Sequence, residues 1–255
     1  DKFVEEEEAR YQRQIEALAN EIVDNHVELV LLAGPSGSGK TTTAHNLRKY
    51  LMKRMINEGR YVYCLSMDDW YMDGDRYTMP VDEEGNPDYE SPECLDIPRL
   101  NQDMEALFAG REISVPCYNF ITRKSFESGA KFAMRKGDVV IMEGLHALNP
   151  LIQFPQNVEN SIRVYVSPAD VIVDEKQELM LDNQYIRLCR RIYRDMDQRG
   201  SSMADTIRKS ASVNRGERLY VAPFLNNVGV WRIDTLLGYE LFIHHRELPD
   251  MKELK

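Results

Sequence analysis

The chain has 255 residues, 43% hydrophobic and 29% charged, enough to bury a sizeable core and suited to one α/β domain. Its formal net charge of −10 supplies no overall basic field, which excludes sustained nucleic-acid binding and leaves anionic ligands to a local cluster of cations. No apolar run of about 18 residues and no signal-peptide pattern is present, so no membrane partner is expected, and Cys64, Cys94, Cys117 and Cys189, without a C-x-x-C pair, read as free thiols of a reducing, cytoplasmic compartment rather than a zinc site.

Residues 1–25 are acidic and then helical, with Tyr11, Ile15, Leu18 and Ile22 recurring at spacings of four, three and four to make a narrow apolar stripe. Such a stripe either packs the helix on the following domain or marks a connector from a preceding one. Glu28-Leu-Val-Leu-Leu-Ala33, a short apolar run bounded by glycine, predicts a buried parallel strand. Gly34-Pro-Ser-Gly-Ser-Gly-Lys40-Thr41 follows and fits the phosphate-loop pattern G-x-x-x-x-G-K-[ST]. The stretch 42–51 then predicts a helix with Ala44, Leu47 and Leu51 on one face.

Strand, glycine loop and helix form the context this chemistry needs. Gly34, Gly37 and Gly39 let backbone N–H groups turn inward around phosphate oxygens, and the helix N-terminus adds partial positive charge. Ser36, Ser38 and Thr42 belong to the same cradle; Lys40 reaches the terminal phosphates, and the Thr41 hydroxyl is a ligand for Mg²⁺. The expected cofactors are ATP and Mg²⁺.

Tyr61-Val-Tyr-Cys-Leu-Ser66 is a second strand, ending in Met67-Asp68-Asp69-Trp70-Tyr71. Ligands of open α/β sheets bind beyond the carboxyl ends of strands, so Asp68 is a candidate general base and Mg²⁺ neighbour, with Asp69 competing for the role and a turn or helix-cap aspartate as the plain alternative. Residues 72–98 are rich in Asp, Glu, Gly and Pro and predict an irregular loop over a substrate; 98–108 predicts a helix. The stretch 112–120 predicts an edge strand whose Tyr118 and Phe120 either stack on a flat base or pack ordinarily. Gly137-Asp-Val-Val-Ile-Met142 is a third strand, and Glu143 at its carboxyl end stands where an acid helps to order Mg²⁺.

A fourth strand is predicted at 161–166. The helix expected at 183–198 carries Arg187, Arg190, Arg191 and Arg194 on one face, with Arg199 just after. Such a stripe is either a solvated face or a lid, about 183–202, that clamps transferring phosphates. A last strand is predicted at 228–233 and a terminal helix from Thr235 to about His244. The predicted fold class is a P-loop three-layer α/β sandwich on a mostly parallel five-stranded sheet with an arginine-rich helical lid. The expected organisation is an N-terminal helix or linker at 1–25, one domain at 26–245 with a substrate-binding excursion at 72–125, and a tail at 246–255.

With these residues in view, the chain resembles the uridine kinase/phosphoribulokinase family of P-loop kinases from about Leu29 to Leu241. The resemblance rests on 34–41, Leu65-Ser-Met-Asp68-Asp-Trp-Tyr71, Tyr89-Glu-Ser-Pro92, Val115-Pro-Cys-Tyr118-Asn-Phe120, Val139-Val-Ile-Met-Glu143-Gly144 and Arg190-Arg191-Ile-Tyr-Arg194-Asp195. Val213-Asn-Arg215-Gly-Glu-Arg and Leu237-Gly-Tyr-Glu-Leu241 are similar to a bacterial branch in which a domain resembling part of threonyl-tRNA synthetase precedes the kinase, which fits a chain that opens with Asp1. The resemblance implies transfer of the ATP γ-phosphoryl group to the 5′-hydroxyl of a nucleoside, most readily a pyrimidine nucleoside. It implies Asp68 as base; Lys40 and Arg194 as catalytic cations; Arg191 on the nucleotide; Thr41, Asp68 and Glu143 around Mg²⁺; and Tyr71, Tyr89, Glu90, Tyr118, Phe120, Arg123 and Arg199 around the acceptor. Dimers and tetramers occur in such a family, so a homo-oligomer is compatible. Four positions depart from the pattern: Tyr89 and Glu90 stand for Phe and Asp, Arg123 for a base-reading histidine, and Ser201 for an arginine. They leave open a phosphorylated sugar or another small alcohol as acceptor, and a nucleotide-binding regulatory module is the reading from another class.

Overall fold

The computed structural model describes residues 2–153, 160–168, 172–173, 176, 179–225, 229–238 and 240. In chain order they form helix α1 (Lys2–Asp24), strand β1 (Leu29–Ala33), helix α2 (Lys40–Met55), strand β2 (Val62–Ser66), helix α3 (Ile97–Phe108) and strands β3 (Ile113–Asn119), β4 (Lys124–Phe132), β5 (Val139–Glu143) and β6 (Ser161–Ser167). A short ribbon follows, β7 (Ile172–Val173) and β8 (Leu179–Leu181), then helices α4 (Asn183–Gln198), α5 (Met203–Arg208) and α6 (Ser210–Tyr220) and strand β9 (Val230–Asp234).

The main sheet is five-stranded, ordered β2-β5-β1-β6-β9, with every pairing parallel. All residues of β1 and β5 are buried, as strands covered by helices on both faces must be. Alternation sends Val30 and Leu32 to one face, where they pack with Ile15, Leu18 and Ile22 of α1 and Leu47 and Leu51 of α2. Leu29 and Leu31 face the other way, toward Leu100, Met104 and Leu107 of α3 and the buried Met67 and Trp70. The result is the expected three-layer α/β sandwich. The register pairs Leu32 with Glu143 and Ser66 with Glu143, so the carboxyl ends of β1, β5 and β2 finish level at one edge.

Several local expectations change. The stretch 112–120 is not an edge of the main sheet: β3 pairs antiparallel with β4 in a separate hairpin. β4 escaped detection because its residues are almost all exposed and Phe126 and Phe132 are separated by Glu, Ser, Gly, Ala and Lys, so no apolar alternation marks it. The last strand is Val230–Asp234, shifted from 228–233, and Val228 lies outside the described residues. Residues 235–237 are irregular rather than the start of a helix, because Arg10 of α1 bonds the Leu236 carbonyl at 3.1 Å and the Asp234 carboxylate at 2.7 Å. Of the rest of that predicted helix, Gly238 is a turn and Glu240 is helical; residues 239 and 241–244, and the tail at 246–255, lie outside the described residues.

Of the two readings for the N-terminal helix, packing on the domain is the one observed: Ile15 and Leu18 are 0% exposed within the core shared with α2. An Ile15→Ala variant is expected to lose about 3 kcal/mol of unfolding free energy. Urea denaturation should show a single transition with a lowered midpoint and an unchanged slope; an unchanged midpoint would detach α1 from the core.

Candidate active site

The phosphate loop leaves β1 and enters α2 at Lys40. Gly39 has φ 91°, the left-handed region that lets the chain turn into the helix. A Cβ on Gly34 would fall 2.1 Å from the Val166 carbonyl oxygen, so no side chain fits at that strand end. The first turn of α2 has no side-chain cap, which leaves its N–H groups for a ligand. Lys40 Nζ donates to the Pro35 carbonyl at 3.3 Å, and Thr41 Oγ1 donates to Glu143 Oε1 at 3.0 Å. Burial lowers the Lys40 ammonium, opposed by the charges of Glu143 and Asp68. Burial also raises the Glu143 carboxyl, with Lys40 opposing and Asp68 adding to it. Ser38 is buried, and its hydroxyl has no partner.

At the end of β2, buried Met67 and Trp70 fix a 3₁₀ turn, and Trp70 Nε1 donates to Asp103 Oδ2 at 2.9 Å. That turn separates the two aspartates. Asp68 acts electrostatically on Lys40, Glu143 and Tyr71. Asp69 turns away and accepts from the Tyr118 backbone and the Cys117 thiol, its carboxyl raised mainly by burial. Of the two aspartates, Asp68 is the one whose charge acts on the lysine of the phosphate loop.

Beyond Asp68 stands an aromatic cluster. Tyr71 lies 5.3 Å from Tyr118 and 5.8 Å from Phe120, and Tyr118 lies 5.1 Å from Phe120, by ring centroids. The Arg199 guanidinium sits 4.1 Å over the Phe120 ring. Glu90 is half-buried, and its carboxyl is raised by burial against the pull of Arg191 and Lys40. Its loop is pinned by Asp88, 2% exposed, which accepts from Arg215 and Tyr220, each at 2.8 Å. Arg123 is exposed; its Nη1 donates to the Tyr89 hydroxyl at 3.1 Å, and its guanidinium covers the Tyr89 ring at 5.2 Å. These two residues form a rim over the cluster rather than its floor.

The arginines of α4 do not share one job. Arg187 is buried against Glu217 Oε2 at 2.6 Å, and Arg190 holds Glu240 at 2.6 Å and Thr235 Oγ1 at 3.1 Å. Arg194 reaches Ser36 Oγ at 3.3 Å while bonded to Asp195 Oδ1 at 2.7 Å. Arg191 is buried toward Glu90 and lines a cavity of about 200 Å³ with Ser36, Arg187 and Asn214. A larger cleft of about 1000 Å³ opens from Gly37, Gly39, Lys40, Thr41 and Thr42, beside Arg190 and Arg194. Arg190 and Arg194 line that cleft, and Arg191 lines the smaller cavity beside Ser36 of the loop.

Sequence reasoning overlooked His146. It lies three residues past Glu143, 1% exposed, edge-on to Tyr220 at 5.8 Å, with the Glu90 backbone as its one polar neighbour. Burial pushes its pKa down to about 4, with Asp68 opposing. The rule that singled out Glu143, polar residues just past a strand's carboxyl end, also points to His146. Among the described residues no group of three or more His, Cys, Asp or Glu side chains is placed to hold a metal, and no helix is long and apolar enough to cross a membrane.

A glycine loop capping a helix, a lysine within it, and an acid from the neighbouring strand bonded to its threonine define a P-loop phosphotransferase. The family model described as "Phosphoribulokinase / Uridine kinase family" matches residues 29–231, and the chain belongs to that family. A uridine kinase of Staphylococcus aureus is 30% identical over 187 residues, spanning 73% of this chain and 77% of that protein. One from Lactobacillus helveticus is 29% identical over 181 residues, 70% and 72% of the two chains. In fold, the chain is similar to D-glycerate 3-kinase from Cryptococcus neoformans, with TM-score 0.56 and 16% identity over 86% of this chain and 92% of that one. The protein is a kinase that phosphorylates an alcohol group of a small molecule.

Between pH 6.5 and about 4 the unfolded chain takes up a proton at His146 that the folded protein excludes, so stability falls as pH drops through that window. The full loss from this ring is about 3 kcal/mol. A His146→Leu variant should flatten the difference in unfolding free energy between pH 7 and pH 4 by that order; an identical pH profile for both proteins would contradict the buried neutral ring.

Proposed function

We propose that the enzyme transfers the γ-phosphoryl group of ATP to the 5′-hydroxyl of a nucleoside, most readily a pyrimidine nucleoside such as uridine. The observation that carries this reading is the placement of Asp68 between the Lys40/Thr41/Glu143 group and the aromatic cluster of Tyr71, Tyr118 and Phe120. A flat base stacked on those rings presents its ribose toward Asp68 and Glu90. The relatives named uridine kinase support the same substrate class.

In this reading Asp68 accepts the proton of the acceptor hydroxyl as the new P–O bond forms. Lys40, the backbone N–H groups of the loop and Arg194 neutralise charge on the transferring group, with Ser36 orienting Arg194. Arg191 and Arg199 bound the acceptor side, Glu90 binds ribose hydroxyls, and Tyr89 and Arg123 form the outer rim. Helix α4 acts as the lid. Thr41, Glu143 and Asp68 offer the all-oxygen set that suits Mg²⁺ held jointly with phosphates, and the 3.0 Å contact between Thr41 and Glu143 brings two of these donors together. A metal held there would supply positive charge that offsets the charge of the phosphates.

One observation favours a second acceptor class. Arg187 Nε and Nη1 and Arg191 Nε are buried without hydrogen-bond partners beside Ser36, a setting that suits an anionic group. A panel of kcat/KM values with ATP and Mg²⁺ separates the two readings. Uridine or cytidine should exceed ribulose 5-phosphate and D-glycerate by tenfold or more, and Glu90→Ala should raise the nucleoside KM by about tenfold while the ATP KM holds. A preference for the phosphorylated or acidic compound would overturn the nucleoside assignment.

A further inference from the structure

Helix α1 lies outside the residues matched by the family model, which begins at 29, yet it lines a cleft together with residues of the phosphate loop. Its two long faces differ. Tyr11, Ile15, Leu18 and Ile22 are buried in the core. Glu5, Glu8, Ala9 and Gln12, spaced as i, i+3, i+4 and i+7, form a second face that is exposed and lines the cleft of about 1000 Å³ opening from Gly39, Lys40 and Thr42. A triphosphate seated in the loop must send its nucleoside out of the cradle. The charges of Asp68, Glu143 and Glu90 gather around Lys40, and the cleft lined by α1 is the large space that opens from the loop.

We propose that α1 is a wall of the donor-nucleoside pocket and recognises the hydrogen-bond donors of that nucleoside; this rests on the reading of the loop as the donor site. The helix is anchored to both rims of the cleft. Tyr11 shares a hydrogen bond with Thr43 Oγ1 at 3.0 Å and accepts one from Asn46 at 3.4 Å, both on α2. Arg10 holds Asp234 at 2.7 Å, and Gln14 Oε1 accepts from the Asp234 N–H at 2.9 Å, at the end of β9. The pocket face itself carries two carboxylates, one amide and no cation. It repels a polyphosphate and accepts from ribose hydroxyls or an exocyclic amine, so it orders the donor with phosphates toward Lys40 and Arg194 and nucleoside toward α1. Ala9 is the small residue of the face, where a larger side chain fills the pocket.

Calorimetric titration of ATP, 2′-deoxy-ATP, GTP and inorganic tripolyphosphate, each with Mg²⁺, into wild type, Ala9→Phe and Glu8→Gln tests this directly. Ala9→Phe should weaken ATP tenfold or more and leave tripolyphosphate within twofold. Glu8→Gln should shrink the preference for ATP over 2′-deoxy-ATP if the ribose is read, or over GTP if the amine is read. ATP affinity unchanged in Ala9→Phe, an equal loss for tripolyphosphate, or both preferences unchanged in Glu8→Gln would overturn the role of α1 while leaving the loop as a phosphate site. Wild type that binds neither ATP nor tripolyphosphate would overturn the donor reading itself, and this inference with it.

Discussion

The hydrogen bond from Thr41 Oγ1 to Glu143 Oε1, 3.0 Å long, joins the first turn of α2 to the end of β5, and the site depends on it. It exists because the parallel register sets Leu32 and Ser66 level with Glu143. Two residues past Leu32 the glycine loop begins; two past Ser66 stands Asp68. A one-residue slip of β5 would turn Glu143 to the other face of the sheet and leave Thr41 and Lys40 facing apolar side chains.

The charges gathered there are buried, and each distorts the others. Lys40 is pushed toward its neutral form and Glu143 toward its protonated form, because burial outweighs their mutual attraction. An incoming polyphosphate supplies the negative charge that Lys40 and the loop N–H groups lack. The arginines of α4 divide between fully buried pairs and partly exposed groups by the same logic. Arg187 is 2% exposed against Glu217, and removing one partner of such a pair costs on the order of 3–5 kcal/mol, so it reads as scaffold. Arg194 is half-exposed and shares its guanidinium between Asp195 and Ser36, which leaves it able to turn to a phosphate.

Patterns confined to one segment were legible in the sequence. The strand–loop–helix around Lys40, the buried runs of β1 and β5, Glu143 at a strand end and the stripe of α1 all announce themselves by local spacing. What was illegible depends on distant partners. Asp68 and Asp69 are indistinguishable until Met67 and Trp70 are buried and fix the turn. Arg187 and Arg190 look like their neighbours until Glu217 and Glu240, far along the chain, claim them. β4 is exposed and mixes its phenylalanines with Lys, Ser, Glu and Gly, so it has no apolar signature, and His146 stands alone in an apolar stretch where nothing nearby marks it as buried. The donor-side face of α1 was hidden for a different reason: exposed Glu and Gln on a helix look like a solvated surface until the cleft is seen beneath them.

The central claim is that Asp68, held opposite Lys40 and Glu143, takes the proton in phosphoryl transfer. The most direct measurement compares ATP affinity and turnover in Asp68→Asn, an isosteric change that keeps the turn and removes the base. The account predicts ATP binding within a few-fold of wild type and turnover lowered by about 10²–10⁴-fold or more. Turnover retained near the wild-type rate, with ATP bound normally, would contradict it.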